Sequence, residues 1–329
     1  MLETLGVLAH RGGLIVEHPE LTVGVVRAIS RPTGLQLELL ARRPIDRRGA
    51  RQRQAGIRAG RTGPPPAPRR LLPAFDEGID LRVGWLDDTG RAHWEFGSWE
   101  AGGDYDGFRL RTRLQFPPRY SHVSVALAWP EIGFPETVVD LALPDRATVE
   151  RGTVSIWDAP VDTAVPPSPL HHRADETLLG EPRVEVGRIV AEPRVLHRAE
   201  DAAVVLTRLT AVAGVLSLEI VSIAHGERAR AATAADVPPR EAHLETGASL
   251  ATLDGHAATR VRPYAVSSSG GATALQSRAE FAVPAPAGDT LTLLVAWPAA
   301  GLADAVAAVA LHGTSGGPRR DGPGGSMPP

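Results

Sequence analysis

Cysteine, lysine and asparagine are all missing from this chain of 329 residues. Without cysteine there is no disulfide, no thiolate metal site and no cysteine nucleophile, and the same absence fits a reducing compartment. Every one of the 35 basic groups is an arginine. Lysine and asparagine share A-rich codons, so their joint loss reads as a GC-rich gene rather than as selection for guanidinium chemistry. Aromatic residues make up only 5% of the chain. Acids outnumber bases by 38 to 35, which leaves a net charge of −3 and no overall field to hold a polyanion, so nucleic acid is disfavoured as a partner. Long apolar runs are lacking too. The most apolar stretch, Leu291 to Leu311, is broken by Pro298, Gly301 and Asp304, and is better explained by buried strands than by a membrane span. The first twenty residues carry neither a basic leader nor a small-residue cleavage pattern, and the expected location is cytoplasmic.

What the chain does contain is an internal repeat. WPEIGFPETVVDLAL, Trp129 to Leu143, aligns without a gap on WPAAGLADAVAAVAL, Trp297 to Leu311, at an offset of 168. VGVVRAISRPTG, ending at Gly34, matches AVVLTRLTAVAG, ending at Gly214, at an offset of 180. After one inserted residue LEL at 37–39 meets LEI at 218–220. Two blocks in the same order predict two copies of one domain, at 1–145 and 185–313, joined by a proline-bearing linker at 146–184 and followed by a disordered tail at 314–329. The fall in offset implies about a dozen extra residues in the first copy, and HWEFGSWEAGGDYDG, without an evident match in the second, is their expected place, as an insertion at 94–107.

Inside each copy the pattern is extended. LQLELLA, FRLRTRLQF and HVSVALAW alternate or are β-branched, and Gly, Pro and Asp separate them. The expected fold is all-β, as two tandem antiparallel β-sandwich-like domains. Asp87-Asp88-Thr89-Gly90 is a hairpin signal, with Ser267 to Gly271 expected to repeat it. LADAVAAVAL at 302–311 favours helix by propensity, but its register with FPETVVDLAL argues for a strand.

The acidic pair before AVVLT (Glu200-Asp201), the turn closing on Gly214, the strand ending at Pro117-Pro118 and the Trp129-Pro130-Glu131-Ile132-Gly133 turn together resemble a family of uncharacterised actinobacterial β-rich proteins with a WP-x-x-G motif, here in tandem duplicate. That resemblance implies fold and lineage, and no activity.

Chemistry-bearing motifs are few. There is no Gly-x-Ser-x-Gly elbow, no Walker lysine loop and no GxGxxG. His171 to Glu176 and Glu241 to Glu245 gather possible metal ligands without a recognised spacing, and no metal or cofactor is expected. Asp87, Asp88, Asp104 and Asp106 are carboxylates whose Gly-rich surroundings read as turns. Two segments remain as candidate binding surfaces. Arg42 to Arg70 holds ten arginines against the single acid Asp46, which suits an acidic partner docking at Arg47 and Arg48 and equally suits a solvated insertion. Trp94, Phe96, Trp99, Tyr105 and Phe108 concentrate aromatics in one stretch, as either a recognition surface or a lid, with Trp94, Trp99 and Tyr105 the candidates. Trp129 and Trp297 recur at one repeat position and are expected in the core. The leading functional expectation is a non-enzymatic binding or interaction protein, with a protein partner as one class of ligand. An enzyme with its site in the groove between the copies is the alternative.

Overall fold

The computed structural model describes residues 2–43, 51, 54–55, 58–60, 65–95, 98–104, 107–173, 186–212, 214–234, 247–271 and 273–312, with the backbone alone for 98–104, 107 and 173. The first half supplies β1 (Thr4–Leu5), β2 (Val7–Leu8), β3 (Gly13–His18), β4 (Leu21–Arg31), β5 (Gly34–Arg42), β6 (Arg82–Leu86), β7 (Ala92–Glu95), β8 (Ser98–Asp104), β9 (Gly107–Phe116), β10 (His122–Trp129) and β11 (Phe134–Ala142). A connecting region holds α1 (Arg146–Gly152), β12 (Val154–Ser155), β13 (Thr163–Ala164) and β14 (His171–Arg173). The second half runs β15 (Arg188–Ala191), β16 (Arg194–Ala199), β17 (Ala202–Val212), β18 (Val215–His225), α2 (Gly226–Ala234), β19 (Ser249–Asp254), β20 (Ala257–Val261), β21 (Ala265–Gly271), β22 (Ala274–Pro284), β23 (Thr290–Trp297) and β24 (Leu302–Ala310). The fold is all-β, built of several antiparallel sheets.

Each half stacks a larger sheet on a smaller one. The larger sheets have the order β2-β4-β5-β9-β8, with β3 also on β4, and β15-β17-β18-β22-β21, with β16 also on β17. The smaller sheets share the run β11-β10-β6-β7 and β24-β23-β19-β20, and β13 and β14 are added to the two outer edges of the second. In each half alternate side chains of the two sheets interdigitate. Val23, Leu37, Leu114 and Phe116 meet Val125, Leu127 and Trp129 in the first core, and Val204, Leu218 and Phe281 meet Leu293, Val295 and Trp297 in the second. Both tryptophans are buried, and each opens a single turn of 3-10 helix closed by a left-handed glycine, Gly133 at φ 79° and Gly301 at φ 72°. Leu302–Ala310 is a strand despite its alanines, because its hydrogen bonds and its buried residues are supplied by β23 and the core.

Three expectations change. First, Ser98–Asp104 is no insertion. It is an edge strand paired along β9 from Ser98↔Arg113 to Asp104↔Gly107, and β21, also seven residues long, holds the same place on β22. Arg82 and Ser249 take equivalent register against the WP strands, as do Phe116 and Val283 against β5 and β18, and both pairs lie 167 apart. The extra residues of the first half therefore lie between β5 and β6, where the arginines are. Second, the hairpin equivalent to Asp87–Gly90 is at Asp254-Gly255, while Ser267 to Gly271 belongs to the edge strand. Third, the connecting region is more than a linker. Its β13 and β14 extend a sheet, its β12 pairs with β1, and Ile156 and Ala159 are buried on Val205, Val221 and Ile223. The tail at 314–329 lies outside the described residues.

Candidate functional site

Strands β4, β5, β17 and β18 are buried along nearly their whole length on both faces. One face of each looks into its own core. The other looks across at the opposite larger sheet, and it is there that the charges of the alternating pattern lie. A bulge after Val25 turns Arg27 to this outer face, in register with Glu38, and a bulge after Leu206 does the same for Arg208, in register with Glu219. Each pair lies on the first two long strands of its half, with the members 181 residues apart between halves.

These groups interlock across the gap. Arg27 donates to Glu219 at 2.5 Å and stands 3.3 Å from Glu38. Arg111 donates to Glu38 at 2.5 Å and reaches Glu280 at 2.8 Å. Arg278 and Thr207 donate to Glu219 at 3.0 and 2.5 Å. Arg208 donates to Glu280 at 2.8 Å, where the Tyr264 hydroxyl also donates at 3.1 Å. Arg113 stands within 3.4 to 3.8 Å of Glu38, Glu219 and Glu280. Glu38 and Glu219 are fully shielded from solvent, and Arg27 is only 3% exposed. Burial alone would raise the Glu38 carboxyl, but Arg27 and then Arg111 hold it down at about 2. Glu219 is likewise held well below the carboxylate range, against its burial, by Arg27 and Arg278. Burial and the Glu280 charge push the Tyr264 phenol up to about 12. The network contains five arginines and three glutamates, so it carries two more positive charges than negative among the described residues.

Beside the network the two sheets part to leave a cavity of about 500 Å³. Arg27, Arg31, Arg278, Gln36, Gln115 and Gln276 are among the residues that line it. The N-terminal residues Leu2 to Leu5 form one wall, tied down by the Leu2 amide donating to Gln276 at 2.8 Å. Arg31 donates to the Thr4 carbonyl and to Gln36, and pairs with no carboxylate among the described residues. Burial, then the nearby Arg27 charge, lowers its pKa. Arg27 Nε, buried, has no hydrogen-bond acceptor among the described residues.

The residues singled out from sequence lie elsewhere. Trp94 is half-buried on β7, and its indole donates to the Leu71 carbonyl at 3.2 Å, so it anchors a neighbouring segment. That segment is fixed again by Glu136, whose carboxylate accepts from the amides of Arg70, Leu71 and Leu72 at 2.6 to 2.8 Å, and by Trp129 donating to Ile79 at 3.1 Å. Trp99 stands opposite Thr112 on the edge strand β8. Arg47, Arg48, Phe96 and Tyr105 lie outside the described residues, as do Asp106 and Glu241 to Glu245. Asp87 is a turn residue, accepting from the Thr89 and Arg91 amides and facing His93 Nε2 at 2.7 Å. Among the described residues no three His, Asp or Glu side chains gather closely enough to hold a metal ion, and no helix is long and apolar enough to cross a membrane.

No family model matches the chain, and no curated protein matches it. Two solved structures are similar over most of their length at 9% identity. A conserved domain protein from Bacillus anthracis covers 88% of this chain and 77% of its own at a TM-score of 0.21, and bovine butyrophilin covers 84% and 90% at a TM-score of 0.20. At such scores neither likeness bears on fold or function.

Proposed function

We propose that this is a non-enzymatic binding protein, that its halves are tandem duplicates of one β-sandwich domain, and that its ligand site is the cavity between their larger sheets. The observation that carries the reading is the chemistry of the cavity wall. Arginine, glutamine and threonine are the polar residue types that dominate the lining, and guanidinium, amide and hydroxyl groups supply hydrogen bonds but are not proton-transfer groups near neutral pH. The nearby Glu38 and Glu219 are locked in ion pairs, and Glu3 is the one acid in the described lining. Such a site orients a ligand and is poorly equipped to transform it. The duplication is supported by the shared strand order, the paired bulges and the two WP turns. A cytoplasmic location is part of the proposal, resting on the cysteine-free composition.

The test is to incubate the purified protein with fractions of a small-molecule extract, follow its unfolding temperature, and identify the stabilising compound by mass spectrometry before and after incubation. A compound that stabilises and is recovered unchanged supports the binder. One recovered as a product supports an enzyme with a site in the groove, and no stabilising fraction contradicts both.

A further inference from the structure

Beside the Trp129 turn the first half carries an apolar knob, and we infer that this knob is the contact surface for a second copy of the chain. Among the described residues six large apolar side chains are exposed, and four of them belong to one segment or lie beside its anchors. Phe75, 83% exposed, and Ile79 stand on the segment leading into β6. Phe108 has its ring 6.2 Å from that of Trp129, whose indole donates to the Ile79 carbonyl at 3.1 Å. Val138 lies two residues along β11 from Glu136, hence on the same face of the strand, and Glu136 accepts from the amides of Arg70, Leu71 and Leu72.

The backbone of the knob is pinned. The buried carboxylate of Asp76 accepts from Arg82 at 2.9 Å and from the Gly78 amide at 2.8 Å, and the Asp76 amide donates to the Pro73 carbonyl at 3.0 Å. The Gly78 carbonyl accepts from the Glu131 amide at 3.2 Å. Phe75 is thus held out between two buried residues, Leu72 and Asp76. Clustered exposed apolar groups mark contact surfaces, and an aromatic anchor on an ordered backbone loses little freedom on association. The second half supplies the contrast. Leu275, which corresponds to Phe108 at the spacing of 167, is buried, and the turn after Trp297 is met by α2, where Ala229 and Ala232 are buried and Arg228 donates to the Ala300 carbonyl at 2.6 Å. The chain covers this end of one half itself and leaves the apolar groups of the other exposed.

The charges point to the occupant. Exposed Arg69 and Arg70 precede Phe75, exposed Glu77 and Asp80 follow it, and Glu131 is exposed beside Gly78. A surface of one sign would repel its own copy. This one carries both signs around an apolar centre, as a two-fold contact requires, because the same patch on each copy must complement itself. The knob is small, so the dimer is weak and forms at high protein concentration.

The test is sedimentation velocity of the full chain over a hundredfold range of protein concentration. The expected result is a monomer passing to a dimer and no further. Its dissociation constant should rise tenfold or more in Phe75→Ser and in Ile79→Ser, and stay unchanged in Val165→Ser, an equally exposed apolar position on the connecting region. Both knob residues are exposed, so their variants should fold, and their unfolding temperatures check that. In mixtures, tagged Phe75→Ser should bind the unmodified chain more weakly than that chain binds itself, because a two-fold contact then loses one of its two rings. A chain that stays monomeric at every concentration overturns the inference and leaves the knob to a partner of another kind. A dimer indifferent to Phe75→Ser lies on another face and overturns it equally. Species that keep growing with concentration indicate a head-to-tail contact and overturn the two-fold one.

Discussion

Replacing Glu219 by glutamine should be among the most costly single changes in this chain. The carboxylate accepts from Arg27 at 2.5 Å, Thr207 at 2.5 Å and Arg278 at 3.0 Å, and it is fully buried. Two unit charges about 4 Å apart attract by about 4 kcal/mol gross at an effective dielectric of about 20. Glutamine keeps the shape and one acceptor oxygen, but it leaves five arginines facing two glutamates. Removing one member of a buried ion pair costs about 3–5 kcal/mol, chiefly because the other charge stays buried and uncompensated. Urea unfolding followed by far-ultraviolet circular dichroism should show a loss of that order. Glu150→Gln, which removes an exposed pair with Arg146 on α1, should cost less than about 1 kcal/mol. Replacing Arg27 and Glu219 together by methionine should recover part of the loss, since no lone charge is then left by that pair. If Glu219→Gln costs no more than Glu150→Gln, the network is not buried as described and the reasoning fails.

Acid should act through the same groups. The pKa values of Glu38 and Glu219 are lower in the folded chain than the ordinary 4.5, so their contribution is complete above that value and is lost as the pH falls towards about 2. The unfolding temperature should be level above about pH 5 and fall below it, and Glu38→Gln should flatten that slope while lowering the level part. At the alkaline end the Tyr264 phenol, pushed up to about 12 from 10, favours the folded state below pH 10 and ceases to do so as the pH rises through 12. Tyr264→Phe should remove that part of the alkaline decline in a pH-jump unfolding series. Glu136→Ala frees the three amides at 70–72, so trypsin should cut after Arg69 or Arg70 several-fold faster while the unfolding temperature changes little. Gly133→Val, forced into a left-handed φ of 79°, should cost about 1–2 kcal/mol in urea unfolding.

Strand identity was legible because a period of two is written plainly in FRLRTRLQF and LQLELLA, and the WP turns declared themselves by recurrence. What alternation cannot say is what covers the polar face. The same pattern serves a sheet wetted by solvent and a sheet facing another charged sheet, and the arginine–glutamate layer is the second case. A signal for it was nonetheless present. Arg27 and Glu38 are eleven residues apart, as are Arg208 and Glu219, and an offset of 181 superposes both pairs with LEL on LEI and needs no inserted residue. Matching Gly34 to Gly214 at 180 hid this, because a turn glycine is set by the local φ and shifts by one position between the two hairpins. The aromatic stretch misled for a related reason. Residues on an edge strand are weakly constrained, so SWEAGGD and AVSSSGG share almost no identity while holding the same place. Nothing in composition could reveal the cavity, which arises where two faces separated by about 180 residues fail to touch.

The central claim, that the charged faces of the larger sheets are buried against each other, is tested most directly by arginine-selective modification with phenylglyoxal, read residue by residue in the native protein by mass spectrometry. Arg27 and Arg208, with side chains only 4% exposed, should stay unmodified while Arg146 and Arg230, at 70% and 57%, react. Modification of Arg27 and Arg208 at the rate of Arg146, with the fold still intact, would contradict the account.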